Sequence, residues 1–243
     1  MWNKPHLLNA LADLLLLAAL AAALTGAAVW LSRMPALPVT RVDFTEALAN
    51  TRRDEIERVL RPALKGNFFS VNLEAARGAL ERLPWVRRAQ VRRVWPSRLA
   101  VSIEEHRAVA RWGEGRGELV NSYGEVFAAL LPEDRLAALP LLSGPAGAAP
   151  EVLARHADLV ARFAAIGERP VRLSLSPRLA WQVTLASGTL LNMGREQPKA
   201  PLDARLQRFI EIWPDTVGKL AARPAVIDLR YPNGFALRPA GEK

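Results

Sequence analysis

The sequence predicts an α+β protein fixed to a membrane by a single N-terminal transmembrane helix. Behind it come a unit of two helices on a three-stranded sheet and then a larger β-rich mixed domain. Three observations carry this reading. Residues 14–31, LLLLAALAAALTGAAVWL, hold no charge. Residues 39–105 read as strand, helix, helix, strand, strand. Residues 117–238 alternate short strand patterns with two amphipathic helical patterns, punctuated by Gly and Pro.

A spanning helix needs about 20 mostly apolar residues at about 1.5 Å rise each. Leu7, Leu8, Leu11 and Ala12 extend the apolar run to that length, interrupted by Asp13, and no later stretch matches it. A cleaved signal peptide has a shorter apolar core followed by a small-residue cleavage site. Here the small residues lie inside the run, and the flank Ser32-Arg33-Met34-Pro35 is a poor site. A buried core helix would carry a polar face, which this one lacks. A retained anchor fits best. Lys4 and His6 precede it, and Arg33 and Arg41 follow, so flanking charge sets no orientation.

Residues 34–38, Met-Pro-Ala-Leu-Pro, form a short stiff linker. Residues 39–45 alternate as a strand, with Val42 and Phe44 on one face and Arg41 and Asp43 on the other. Thr51 is placed to cap a helix striped by Ile56, Val59 and Leu60, with Pro62 expected to end it. Asn72 caps a second helix, striped by Leu73, Ala76, Leu80 and Leu83 and stopped by Pro84. Residues 85–94 form a strand, Trp95-Pro96-Ser97 a turn, and 98–105 a strand with Leu99, Val101 and Ile103 inward. Two helices on one face of such a sheet bury both stripes.

In the second domain, residues 117–129 read as a hairpin around Ser122-Tyr123-Gly124, and 139–150 as a Pro/Gly/Ala loop. Residues 150–166 form a helix with Val152, Leu159, Phe163 and Ile166 on one side, stopped at Gly167. Strands follow at 171–175, 179–185 and 189–193. Leu202, Leu206, Phe209, Ile210 and Trp213 share one helical face. A strand at 225–230, the turn Tyr231-Pro232-Asn233-Gly234 and a short strand at 235–238 close the chain.

The 243 residues carry 33 lysines and arginines against 24 acids, a net charge of +9. Arginines crowd residues 87–98, flanked by Trp85 and Trp95. Arginine beside aromatics suits single-stranded nucleic acid, but both tryptophans flank turns, where they pack domain edges. Anionic headgroups and acidic coiled-coil partners suit the cluster better, and plain surface solvation is the simplest account. No nucleic acid is expected as a partner. There is no cysteine, hence no disulfide and no thiolate metal site. His6, His106 and His156 lack partners at ligand spacing, and there is no nucleophile elbow or phosphate loop. Glu104 and Glu105 are adjacent on a strand and face opposite ways, so each is expected to be solvated or salt-bridged. No enzymatic activity, cofactor, metal or small-molecule substrate is expected.

The passage LPWVRRAQVRRVWPSRLAVSIEEHRAVARW resembles the end of a POTRA domain of the FtsQ/DivIB type, a family of bacterial cell-division proteins. It has the Pro-Trp-Val lead, the arginine-bearing strand, the aromatic-Pro turn and the strand closing on Glu; Ala108 stands where the family commonly has proline. Residues 119–127, LVNSYGEVF, resemble the family's Leu-Val-x-x-x-Gly-x-x-Phe hairpin. The resemblance implies a cytoplasmic tail at 1–11, a transmembrane helix at 12–32, a POTRA domain at 37–107 and a β-rich domain at 108–239. It implies a non-catalytic divisome scaffold of the inner membrane, with its body in the periplasm at the division septum. Its implied partners are FtsB and FtsL, coupling early to late divisome assembly. The other reading is a POTRA-bearing component of polypeptide translocation or secretion. That would normally show several such units and a β-barrel.

The resemblance also places the FtsB contact after the Arg-Tyr pair, at Arg230, Tyr231, Asn233, Gly234, Phe235, Ala236 and Leu237. A strand ending a chain tends to be a sheet edge able to accept another strand. Tyr231 and Phe235 would be the aromatic anchors, unless they merely close the last hairpin. Proline at Ala236 is expected to remove an edge donor.

Overall fold

The computed structural model describes residues 5–33, 41–44, 48–115 and 117–239. They fall into two compact units, residues 1–105 and 106–243.

The first unit opens with helix α1, Pro5–Arg33. Its apolar stretch Asn9–Trp30 is exposed throughout. At about 1.5 Å per residue it is about 33 Å long, enough for a hydrocarbon core of about 30 Å. An exposed helix with no polar face has water as the wrong solvent and lipid as the right one.

The remainder of this unit comprises β1 (Arg41–Phe44), α2 (Arg53–Ala63), α3 (Leu73–Leu80), β2 (Val86–Val94) and β3 (Arg98–Glu105). The sheet order is β1-β3-β2, with β1 parallel and β2 antiparallel to β3. Ile56 and Leu60 of α2 and Ala76 and Leu80 of α3 pack on Val86, Ala89, Val101 and Ile103, all nearly solvent-free. This is the predicted two-helix, three-stranded arrangement. Asn72 caps α3 as expected, its side chain accepting from the Ala75 amide at 2.9 Å. Residues 39, 40 and 45 of the first predicted strand lie outside the described residues.

Three local expectations are corrected. The cap of α2 is Arg52 rather than Thr51, and no side chain bonds there. Pro62 lies inside α2, which runs on to Ala63 and closes with the Leu64 amide on the Leu60 carbonyl at 3.0 Å. A proline this near a C-terminus costs only one backbone bond, so the helix survives it. Glu105 is half-buried, and its carboxylate accepts from the amides of Ala49, Asn50 and Thr51 at 2.6–3.1 Å rather than from a basic side chain. These bonds satisfy the backbone ahead of α2 in place of a helix cap. Burial pushes the Glu105 carboxyl up, but hydrogen bonds from Thr51 and from the amides of Ala49 and Asn50 outweigh it and hold the group below its ordinary value. Glu104 does pair, with Arg87 at 2.9 Å.

The second unit runs β4 (Ala108–Trp112), β5 (Glu118–Asn121), β6 (Val126–Ala128), α4 (Glu133–Ala138), β7 (Leu141–Ser143), α5 (Ala149–Phe163), β8 (Pro170–Leu175), β9 (Trp181–Leu185), β10 (Leu190–Gly194), α6 (Leu202–Ile212), β11 (Val226–Asp228) and β12 (Ala236–Arg238). Among the described residues these strands form one sheet, ordered β12-β11-β10-β9-β8-β7-β4-β5-β6. Val152, Leu159 and Phe163 of α5 and Leu206 and Phe209 of α6 share a core with Leu142, Leu173, Val183, Leu191 and Ile227 of the strands. A short 3-10 turn, Ala164–Ile166, continues α5, and Gly167 ends it at φ +69°.

The predicted loop at 139–150 is corrected, since β7 lies within it. β7 runs parallel to both β4 and β8 and joins the two halves of the sheet. The predicted hairpin is β5–β6. Buried Asn121 folds its turn, accepting from the Tyr123 and Glu125 amides at 2.9 Å each. Gly124 then sits at φ +81°, where a Cβ would meet Pro150 Cα at 2.7 Å. Both the conformation and the close approach demand glycine.

Candidate protein-interaction site

The hairpin β11–β12 carries every residue of the expected partner site. β12 ends the sheet, antiparallel to β11 through Val226↔Arg238, Ile227↔Leu237 and Asp228↔Ala236. No strand covers its other side among the described residues. Ala236, Leu237 and Arg238 are all exposed. The Arg238 carbonyl accepts from the Ala225 amide at 2.9 Å, so Arg238 faces β11. Strand alternation then turns the backbone groups of Ala236 toward β11 and those of Leu237 outward. This corrects the expectation for Ala236: proline there removes a bond within the sheet, and Leu237 holds the outward donor.

The turn ahead of β12 is held from several sides. Arg230 folds back on Asp228, its Nε 2.8 Å and 3.0 Å from the two carboxylate oxygens and its Nη2 2.5 Å from one of them. The guanidinium holds the Asp228 carboxyl below its usual range. Gln197 donates to the Arg230 carbonyl at 3.1 Å, and Arg208 to the Pro232 carbonyl at 2.6 Å. The two aromatics part ways. Phe235 turns inward, edge-on to Phe209 with centroids 5.4 Å apart. Tyr231 is 54% exposed, and Asn233 and Gly234 also face solvent.

Below this turn lies a residue that sequence reasoning missed. Arg205 of α6 is 4% exposed. It donates to the carbonyls of Met193, Arg195, Ala200 and Leu229 at 2.6–3.0 Å. One guanidinium therefore ties the end of β10, the segment before α6 and the end of β11 together. Burial lowers its pKa, opposed by Glu196, and the carbonyl ring replaces the lost water.

Beside the hairpin opens a cleft of about 720 Å³. Its walls include Arg155, Arg178, Trp181, Arg195 and Arg230 together with the acids Glu151 and Glu196. Arg155 is engaged by Asp203 at 2.7 Å and lies over Trp181. Leu179, 60% exposed, sits at φ +58°, an uncommon conformation for a branched side chain. No trio of His, Cys, Asp or Glu that could hold a metal occurs among the described residues. The arrangement offers a strand edge, an exposed tyrosine and a cleft of mixed charge, which suits recognition of an extended polypeptide.

Comparison with known proteins accounts for both units. Residues 37–106 match the family described as POTRA domain, FtsQ-type. Residues 110–230 match that described as Cell division protein FtsQ/DivIB, C-terminal, so Tyr231 onward lies beyond the match. Cell division protein FtsQ of Burkholderia pseudomallei is 39% identical over 99% of this chain and 95% of its own length. That of Bordetella pertussis is 37% identical over 98% and 92%, and that of Nitrosospira multiformis 35% over 98% and 99%. With its POTRA unit, its second unit and nearly its full length matched, the chain belongs to the FtsQ/DivIB family of cell division proteins.

Proposed function

We propose that the chain is a non-catalytic scaffold that captures another membrane-anchored division protein by strand addition to β12. The partners are FtsB and FtsL, and the coupling of early to late assembly passes through this contact. The tail at 1–11 lies in the cytoplasm, the anchor at 12–32 spans the inner membrane, and the bodies at 37–107 and 108–239 stand in the periplasm at the septum. The observation that carries the reading is the uncovered edge of β12 beside exposed Tyr231. Main-chain bonds along that edge supply affinity, and the neighbouring side chains supply specificity.

The test is capture of purified FtsB by the soluble body. Tyr231→Ala is expected to weaken capture at least about tenfold, because a central aromatic contributes about 2 kcal/mol or more. Leu237→Pro, which removes the outward donor, is expected to abolish it. Circular dichroism should show both variants folded. Undiminished capture by both refutes the site, and unfolding by Tyr231→Ala would assign that ring to the hairpin.

A further inference from the structure

The sheet of the first unit has two unlike ends. In register, Arg41 pairs with Arg98 and Arg98 with Val94. The start of β1, the end of β2, the start of β3 and the turn Trp95-Pro96-Ser97 therefore share one end. Arg93 brings the 66–71 loop to the same end, donating to the carbonyls of Phe68, Phe69 and Val71 at 2.7–3.1 Å. Buried Phe68 stands edge-on to both Phe69 and Trp95 at 5.3 Å and 5.9 Å. It props up two exposed rings, with Trp95 66% and Phe69 43% open to solvent. The other end of the sheet carries the Glu105 carboxylate and its amides.

The aromatic end is also cationic. Arg41, Lys65 and Arg92 are exposed there. Its acids are committed: Asp43 lies 3.5 Å from Arg98 and Glu74 2.8 Å from Arg77. It is also the end to which the anchor is joined. Only residues 34–40 separate Arg33 of α1 from Arg41 of β1, so the two lie within about 30 Å at full extension.

We propose that this end of the POTRA unit docks on the membrane surface from which the anchor emerges. Trp95 and Phe69 enter the interfacial layer, and Arg92, Arg41 and Lys65 meet lipid phosphates. Tryptophan prefers that depth and cationic side chains the anionic headgroups above it. The short tether holds the patch at high effective concentration over the bilayer, so weak contacts suffice. Docking stands β1 and β3 away from the surface and fixes which way the unit faces.

This rests on α1 spanning the membrane, and the test separates the two claims. The chain has no cysteine, so Glu74→Cys beside the patch and Asp54→Cys at the opposite end each accept one environment-sensitive dye with the same charge change. The labelled full chain is placed in vesicles of phosphatidylcholine and phosphatidylglycerol containing a headgroup-bound nitroxide quencher. Flotation with the vesicles at alkaline pH reports the anchor. Quenching reports docking: it should be several-fold stronger at position 74 than at 54. The tether alone favours position 74 somewhat, so the variants decide. Trp95→Ser with Phe69→Ser should bring the position-74 signal down toward that at 54. Arg92→Gln, at an exposed position, should weaken it, as should omission of phosphatidylglycerol. A position-74 signal unchanged by the aromatic pair, in chain that still floats, overturns the proposal. So does one indifferent to both Arg92→Gln and phosphatidylglycerol. Should the aromatic pair unfold the unit, Arg92→Gln and the lipid change decide alone.

Discussion

Two charged residues do structural work that their side-chain type would not suggest. Glu105 binds three consecutive amides with a carboxyl held below its ordinary value of 4.5. A depressed carboxyl contributes stability that is complete above that ordinary value and is lost as pH falls through the folded one. Glu105→Gln keeps an acceptor but loses the charge. It is expected to cost about 1–2 kcal/mol near pH 7, since hydrogen bonds to a charged, partly exposed acceptor have that worth. The deficit should shrink as acid below pH 4.5 removes the wild-type advantage, as paired urea titrations would show; a deficit independent of pH would refute the role. In the sequence, Glu105 was legible only as a strand-end carboxylate facing away from Glu104, but the loop it grips is more than fifty residues away, and no local pattern encodes that. Arg205 left a fainter trace. It falls among Leu202, Leu206 and Phe209, on the buried face of α6, where a solvated arginine does not belong. A break in an apolar stripe was the available signal. The four carbonyls that answer it arise from three segments that only the fold brings together.

At the scale of elements, periodicity was informative where segments were long and failed where they were short. The stripes of α2 and α3 are long enough to show the helical period: Ile56, Leu60, Ala76 and Leu80 are buried as expected, whereas Val59 and Leu83 are only partly buried, Leu83 lies beyond the end of α3, and Leu73 stands outside that core. Leu80 is fully buried between helix and sheet. Leu80→Asp is expected to cost at least about 3 kcal/mol by burying an unpaired charge. Thermal melting of residues 37–107 produced alone checks this, and an unchanged midpoint would overturn the helix assignment. By contrast β7 has three residues, of which only Leu142 is buried. Three residues show no alternation, and Pro and Gly on either side mimic a loop. Its strand character comes from β4 and β8, which pair with it from both sides. The β11–β12 hairpin was half legible. Its turn and its place at the end of the sheet follow from chain order, whereas the inward turn of Phe235 depends on Phe209 arriving from α6.

For the whole molecule, the apolar surface of α1 requires lipid. The mature protein is expected to begin at Met1 or Trp2 and to remain with membranes through carbonate extraction; a mature start after Ala23, read by N-terminal sequencing, would make it a secreted protein instead. A second consequence lies in the route of the chain through the first sheet. It enters at the start of β1 and leaves at the end of β3, and these strands are parallel neighbours, Arg41↔Arg98 through Phe44↔Val101. Tension between the anchor and the second unit therefore draws the two strands past one another along their length. The bonds between them are loaded together, in shear, rather than opened one by one like a zipper, and Glu105 grips residues 49–51 at the point of exit. Any pull along the chain is therefore borne by the whole β1–β3 ladder at once.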